Sequence, residues 1–275
     1  MRELTKVTVA VVGLLAVLMG VGWLGLQVEP KPLPPRPERA RDLGTAELPS
    51  DLPKPVSRHF RVTMGERVPR IETAIVWGRG EFKLMGLWFP MRFESYHVAG
   101  RSFRRELELT WFGLSVFRGY DAYIDGKGIL EFTGLFGMLH VSDEGKKIDQ
   151  GDNLAMWAEA PFTTPSAMVL DPRVRWEPID AHTARLVFPF GGREDSLRVG
   201  FDPETDLMRS TSGMRYRGRE ETKTPYRGEY AEWRPVHEIK TPHRDAAVWE
   251  DQGEPYIVLY VEGTEYNVDV SRKIP

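Results

Sequence analysis

The chain has 275 residues, with 37 lysines and arginines against 40 aspartates and glutamates, and no cysteine. A formal charge of −3 without a basic excess argues against a nucleic-acid footprint. The missing cysteines exclude disulfides, thiolate chemistry and Cys-based metal sites.

The first predicted element is Val7 to Val28, a run of 22 residues with no Asp, Glu, Lys or Arg. As a helix it reaches about 33 Å, enough for a hydrocarbon core of about 30 Å. It is apolar on every face, unlike a surface helix. It therefore reads as a membrane anchor over residues 1–29. The rival reading is a cleaved signal peptide, whose apolar core is normally about 7–15 residues and ends in a small-x-small site. Here the run is longer and ends Leu26-Gln27-Val28-Glu29-Pro30. Ala16 and Gly20 have the small-xxx-small spacing of packed membrane helices. Arg2 and Lys6 precede the run, while Lys31, Arg36, Arg39 and Arg41 follow it, so charge alone leaves sidedness open.

Pro30 to Pro37 reads PKPLPPRP. Residues 30–50 are expected to form a linker, extended in its proline part, that spaces a domain over 51–270 from the bilayer. Leu52, Val56, Phe60 and Met64 then recur every four residues, which predicts a helix. Asp51 is its expected cap, Pro53 suits its first turn and Gly65 its end.

Beyond Gly65 the period becomes two. Ile71, Thr73, Ile75 and Trp77 share a face, as do Phe89, Met91 and Phe93, and then Phe103, Leu107 and Leu109. Leu186, Phe188 and Phe190 are answered by Leu197, Val199 and Phe201 across a glycine turn. Asp125-Gly126 and Asp202-Pro203 mark further turns. Some ten or eleven strands joined by short turns predict an antiparallel meander. Asp149–Ala160 interrupts it as a short helix, with Asp152 as cap and Pro161 as stop.

The segments Leu84–Phe93 and Leu109–Phe117 carry apolar residues on both strand faces. A sheet with one wet face should alternate, so both faces need a cover. Either the two helices supply it, or a concave apolar surface is left for a ligand.

Catalytic motifs are missing: no nucleophile elbow, zinc-helix motif or phosphate loop occurs. His237 and His243 read as loop residues, and the Asp143–Asp152 acids as a turn and cap, so no metal or other cofactor is expected. Glu159 lies among apolar neighbours. It is expected to pair with an arginine such as Arg173 or Arg175; a carboxyl with a raised pKa could instead serve as acid or base. Arg215, Arg217 and Arg219 alternate, which suggests a solvated, salt-bridged sheet face or a headgroup contact.

Several local signatures resemble a bacterial family of envelope domains of unknown function. They are Leu52-Pro53-Lys54-Pro55-Val56, Gly119-Tyr120-Asp121-Ala122-Tyr123, Asp149-Gln150-Gly151-Asp152-Asn153-Leu154 with Ala158-Glu159, and Pro165-Ser166-Ala167-Met168. Val174-Arg175-Trp176-Glu177-Pro178 and Glu265-Tyr266-Asn267 complete the set. The family's Trp-Phe-Pro-type segment is replaced here by Ala160-Pro161-Phe162-Thr163-Thr164. The element order is also similar to the LolA-like lipoprotein-carrier architecture. That resemblance implies a mainly β fold with short helices, a strongly curved antiparallel half-barrel whose concave face is covered by helices. It places the domain outside the cytoplasm, on the periplasmic or outer face of a single-pass anchor. The implied function is non-enzymatic binding of a lipid or acyl chain. The expected lining is Trp77, Phe89, Phe93, Trp111, Phe117, Phe132, Phe136, Trp157, Phe162 and Met168, with Glu159 and Arg175 as polar groups. A scaffold domain with a filled core, or an envelope enzyme using Glu159, are the alternatives.

Overall fold

The computed structural model describes residues 2–35, 41–134 and 137–275, so Phe136 of the expected lining lies outside the described residues. Helix α1 (Arg2–Leu26) comes first, and its Thr5–Leu26 stretch is long and apolar enough to cross a membrane. A short strand β1 (Thr45–Glu47), helix α2 (Lys54–Met64) and strand β2 (Arg67–Pro69) follow, with β1 paired to β2. Next come β3 (Thr73–Leu84), β4 (Leu87–Val98), β5 (Ser102–Trp111), β6 (Leu114–Ile124), β7 (Lys127–Gly134) and β8 (Leu139–Glu144). Helices α3 (Lys146–Ala158), α4 (Ala160–Thr163) and α5 (Ala167–Leu170) divide these from a second run. That run is β9 (Arg175–Asp180), β10 (Thr183–Phe190), β11 (Arg193–Phe201), β12 (Met208–Tyr216), β13 (Lys223–Val236), β14 (Ile239–Trp249) and β15 (Pro255–Tyr266).

Among the described residues, thirteen strands form one sheet in the order β8-β7-β6-β5-β4-β3-β15-β14-β13-β12-β11-β10-β9. Every neighbouring pair is antiparallel. The last strand, β15, joins the two runs by pairing with β3. Helix α3 shows how strongly the sheet bends. It touches both β7 and β12, which lie eight positions apart in the sheet. Laid flat, eight spacings of about 4.8 Å would separate them by about 38 Å, several helix diameters. The sheet therefore wraps α3, and the turn after β12 reaches the β8 edge. There Arg219 pairs with Asp143 at 2.5 Å and Lys147 pairs with Glu221 at 2.6 Å. The result is the expected mainly β half-barrel with helices on its concave face.

Three local expectations change. Helix α2 starts after Pro53, whose fixed φ suits that position, and Asp51 makes no cap bond; Gly65 ends it at φ 77°. Helix α3 starts after Gly145, so Asp152 sits inside the helix, buried, instead of capping it. Helix α3 ends at Ala158, before the expected stop at Pro161, and Pro161 sits in the first turn of α4, where its missing N–H costs nothing. The start of the proline segment lies against the domain. Glu29 pairs with Arg79 at 2.6 Å, Pro30 is buried, and Leu33 packs on a small cluster on the convex face. Strand β1 shows ordered structure within the expected linker.

Candidate functional site

Register fixes which side chains face the hollow. On β5 and β6 the inward pairs are Phe103–Tyr123, Arg105–Asp121, Leu107–Gly119 and Leu109–Phe117. On β7 the inward set continues as Gly128, Leu130 and Phe132. Gly119 is needed here, because a Cβ would overlap the Phe132 ring and the Glu131 carbonyl. Leu139 and Val141 of β8, Ile148 of α3, and Phe82, Leu84 and Ile257 of β3 and β15 complete an apolar wall. Between this wall and α3 lies a cavity of about 310 Å³.

Its apolar part lies toward the strand ends that carry the β3–β4, β5–β6 and β7–β8 turns. Its floor is charged. Arg105, Asp121, Asp152 and Arg215 all line it. From Leu109 to Arg105 the strand runs about 13 Å, at roughly 3.3 Å per residue, so grease and charge are well separated. The Arg105 guanidinium forks between Asp121 and Glu159, with Nε to Asp121 Oδ1 at 3.0 Å. All three side chains are buried. Burial opposes the Arg105 charge, but Asp121 and Glu159 outweigh it and hold the guanidinium above its ordinary pKa. Burial pushes the Glu159 carboxyl up against the pull of Arg105. Asp152 is raised further by burial, with Arg215 at 3.6 Å opposing it. Asp152 Oδ2, Glu159 Oε2 and Arg215 Nε are buried without hydrogen-bond partners. Arg215 also lies over the rings of Tyr226, at 5.1 Å, and Trp249, at 5.7 Å.

Of the expected lining, Phe117 and Phe132 face the cavity. Phe89 is half-buried beside Phe117, ring centroids 5.9 Å apart, and Phe93 is buried in the core. Trp157, Phe162 and Met168 are all at most 1% exposed and fill the core under the second run of strands. Trp77 is on the convex face, packed with Tyr96, Val268 and Val270, because its register position points away from the hollow. Trp111 stands at the β5–β6 turn, where its indole N–H donates to the Gly22 carbonyl at 2.9 Å. Arg175 is exposed and pairs with Glu177 and Glu194, so it does not meet Glu159; Arg173 pairs with Asp171. Arg215 is no surface residue: its strand turns it inward, against Asp152. In the sequence, Asp121 stands out only within a family signature and Arg215 only on a solvated or headgroup-contacting face, and Arg105 is not singled out. One signal was present: Phe103, Leu107 and Leu109 alternate inward, and Arg105 occupies a position in that stripe.

The arrangement can hold an apolar body against a polar end. No Ser, Thr, Cys, His or Lys occurs among the described lining residues. Among the described residues, no group of three or more His, Asp or Glu could hold a metal ion.

Two solved structures illustrate what the chain is similar to. One is a DUF1329 family protein from Desulfovibrio piger, at 10% identity and TM-score 0.42, covering 73% of this chain and 88% of that one. Another is a LolA superfamily protein from Nitrosomonas europaea, at 6% identity and TM-score 0.44, covering 80% of this chain and 96% of that one. No curated protein matches. The profile of a family of unknown function, DUF6544, matches residues 43–260, and the chain belongs to that family.

Proposed function

We propose that this protein is a membrane-anchored, non-enzymatic domain that holds a single apolar chain, such as a lipid tail or acyl chain, in the cavity beside α3. The cavity of about 310 Å³ carries the reading. It falls at the small end of the range for ligand sites and holds the bulk of about ten waters at ~30 Å³ each. That suits one short chain, not several. Burial of the chain would supply the affinity, at about 25 cal/mol per Å² of apolar surface. The arginines and the raised carboxyls at the floor would meet a polar end, such as a carboxylate or ester. Helix α1 is read as the uncleaved anchor, with the domain on the extracytoplasmic side.

A protein-interaction scaffold with a filled core is the competing reading. Trp157, Phe162 and Met168 favour it, since they plug the other half of the hollow. Leu130→Trp separates the two, because it fills the cavity without touching those residues. Native mass spectrometry of the full chain released from detergent should show a retained lipid, largely lost in Leu130→Trp. A bare mass for the wild type that does not change on adding a fatty acid leaves the scaffold.

A further inference from the structure

The sheet ends unevenly. At the end toward which the apolar part of the cavity lies, the β3–β4, β5–β6 and β7–β8 turns expose large apolar side chains. Met85 is 94% exposed, Met138 80%, Leu114 72% and Leu87 54%. Trp111 and Phe112 stand beside them, about two-fifths exposed. The turns of the second run at this same end are charged: Arg193 and Glu194, Arg219 to Glu221, and Glu250, Asp251 and Glu254. The β4–β5 and β6–β7 turns at the opposite end carry Arg101 and Asp125-Gly126. Outside α1, the large apolar side chains that are more than half exposed among the described residues therefore all stand on one half of one rim, whereas Val62, Ile179, Met214 and Tyr260 are less exposed and scattered singly. An exposed apolar patch of this kind marks a contact surface.

Helix α1 says what it contacts. Only its last turns touch the domain. The Trp111 indole reaches the Gly22 carbonyl, the Phe112 N–H donates to the Gly25 carbonyl at 2.8 Å, and a Cβ at Gly25 would overlap the indole. Before those turns the apolar side chains of α1 from Val7 to Val21 are exposed. The point where the apolar helix leaves the domain is thus the β5–β6 tip itself. Trp111 bonds to Gly22, the residue before the exposed Trp23, and tryptophan is a residue type that favours a membrane interface.

We propose that the three apolar turns insert into the interface of the bilayer that α1 spans, so that the cavity mouth opens onto lipid. The proposal rests on the anchor reading of α1 and not on cavity occupancy. It gives the cavity a lipid source: a chain could enter from the leaflet without crossing water. The occupant of the rim is a lipid surface, because the helix that leaves the domain at the β5–β6 turn is itself dressed for one.

The chain has no cysteine, so single probes can be placed cleanly. Leu87→Cys, Leu114→Cys and Met138→Cys, with Arg101→Cys as the distant control, are labelled with bimane. Each full chain is reconstituted in phosphatidylcholine vesicles bearing a quencher near the acyl ester. The three rim probes should lose most of their fluorescence, while the Arg101 probe keeps its own. Vesicles that float with the chain but leave all the rim probes bright overturn the proposal, retain the anchor, and assign the rim to a protein partner. A chain that does not float with vesicles overturns both. Lipid retention by the cavity, read separately by mass spectrometry, stands or falls on its own.

Discussion

Helix α3 meets the two halves of the sheet in different ways. Toward β10–β12 it offers Leu154, close to Leu197 across Gly213, and Trp157, stacked on Phe188 at 5.4 Å. These side chains are at most 1% exposed and interdigitate as a core does. Toward β5–β7 the helical segment offers Asp149, which accepts from the Gly128 N–H, and Glu159, which pairs with Arg105, while Asp152 lies between the halves, beside Gly128 and 3.6 Å from Arg215 of β12. Charged groups need partners at fixed distances and geometries, so they cannot close every gap as methyl groups do. The apolar interface is filled; the charged one lies beside a cavity. The contrast teaches that the site is located by where the packing changes chemistry, not by where aromatic residues are most numerous.

The sharpest way to break the comparison is Arg105→Met. It would leave Asp121 and Glu159 buried without their shared cation. Removing one partner of a buried pair costs roughly 3–5 kcal/mol. Chemical denaturation should register a loss of that size, and the triple change Arg105→Met, Asp121→Leu, Glu159→Gln should recover much of it. A single variant as stable as the wild type means the charged interface is not what holds α3 to the first half.

A second comparison deletes matched leucines. Leu197 is fully buried in the filled half, and Leu197→Ala should cost roughly 2–5 kcal/mol. Leu130 already borders empty space and is half-buried, so Leu130→Ala should cost less than about half of that. Equal losses would mean that the cavity wall is as tightly packed as the core.

The legible part of the fold was its alternation. Which residues share a face on β3, β4 and β5, and in the β10–β11 hairpin, follows from period two, although it did not say which face of β3 is inward. The helix between the runs was also visible, though its start was misplaced by three residues because Gly145, not an acid, precedes it. The site was harder to read. Apolar residues on both faces near Leu87 and Trp111 reflect neither a second core nor a lining; they belong to exposed turns beside α1. Trp77 and Tyr96 answer to the C-terminal segment, which packs on the convex face through Val268 and Val270. A strand pattern gives the face of a residue but not what the rest of the chain brings to that face. Arg215 shows the same limit: its alternation with Arg217 and Arg219 did not reveal that β12 ends at Tyr216, leaving Arg219 exposed in the turn, or that closure of the sheet puts Arg215 in the interior.

The smallest expected effect concerns protons. His97 lies on the inward face of β4, its ring stacked on Phe103 and its Nε2 at 2.6 Å from the Ser95 hydroxyl. Burial, and then the charge on Arg105, lower its pKa from 6.5 to about 3. In the unfolded chain the imidazole takes up a proton as pH falls below 6.5, whereas in the folded chain it resists. The unfolded state then binds more protons, so this residue's contribution to stability declines with acidification. At 1.36 kcal/mol per pKa unit, the decline between pH 7 and pH 5 is about 2 kcal/mol. Asp152 and Glu159 act in the opposite sense, since their raised values make the folded state the better proton binder as pH falls toward the carboxylate range. Total stability against pH therefore mixes the two signs. The difference between the wild type and His97→Gln isolates one, because the carboxylates are common to both. That difference, followed by denaturant midpoints, should narrow on going from pH 7 to pH 5. If it stays constant, the imidazole is solvated in the folded protein, and the inner face of β4 belongs to the wet side of the cavity instead of to its dry wall.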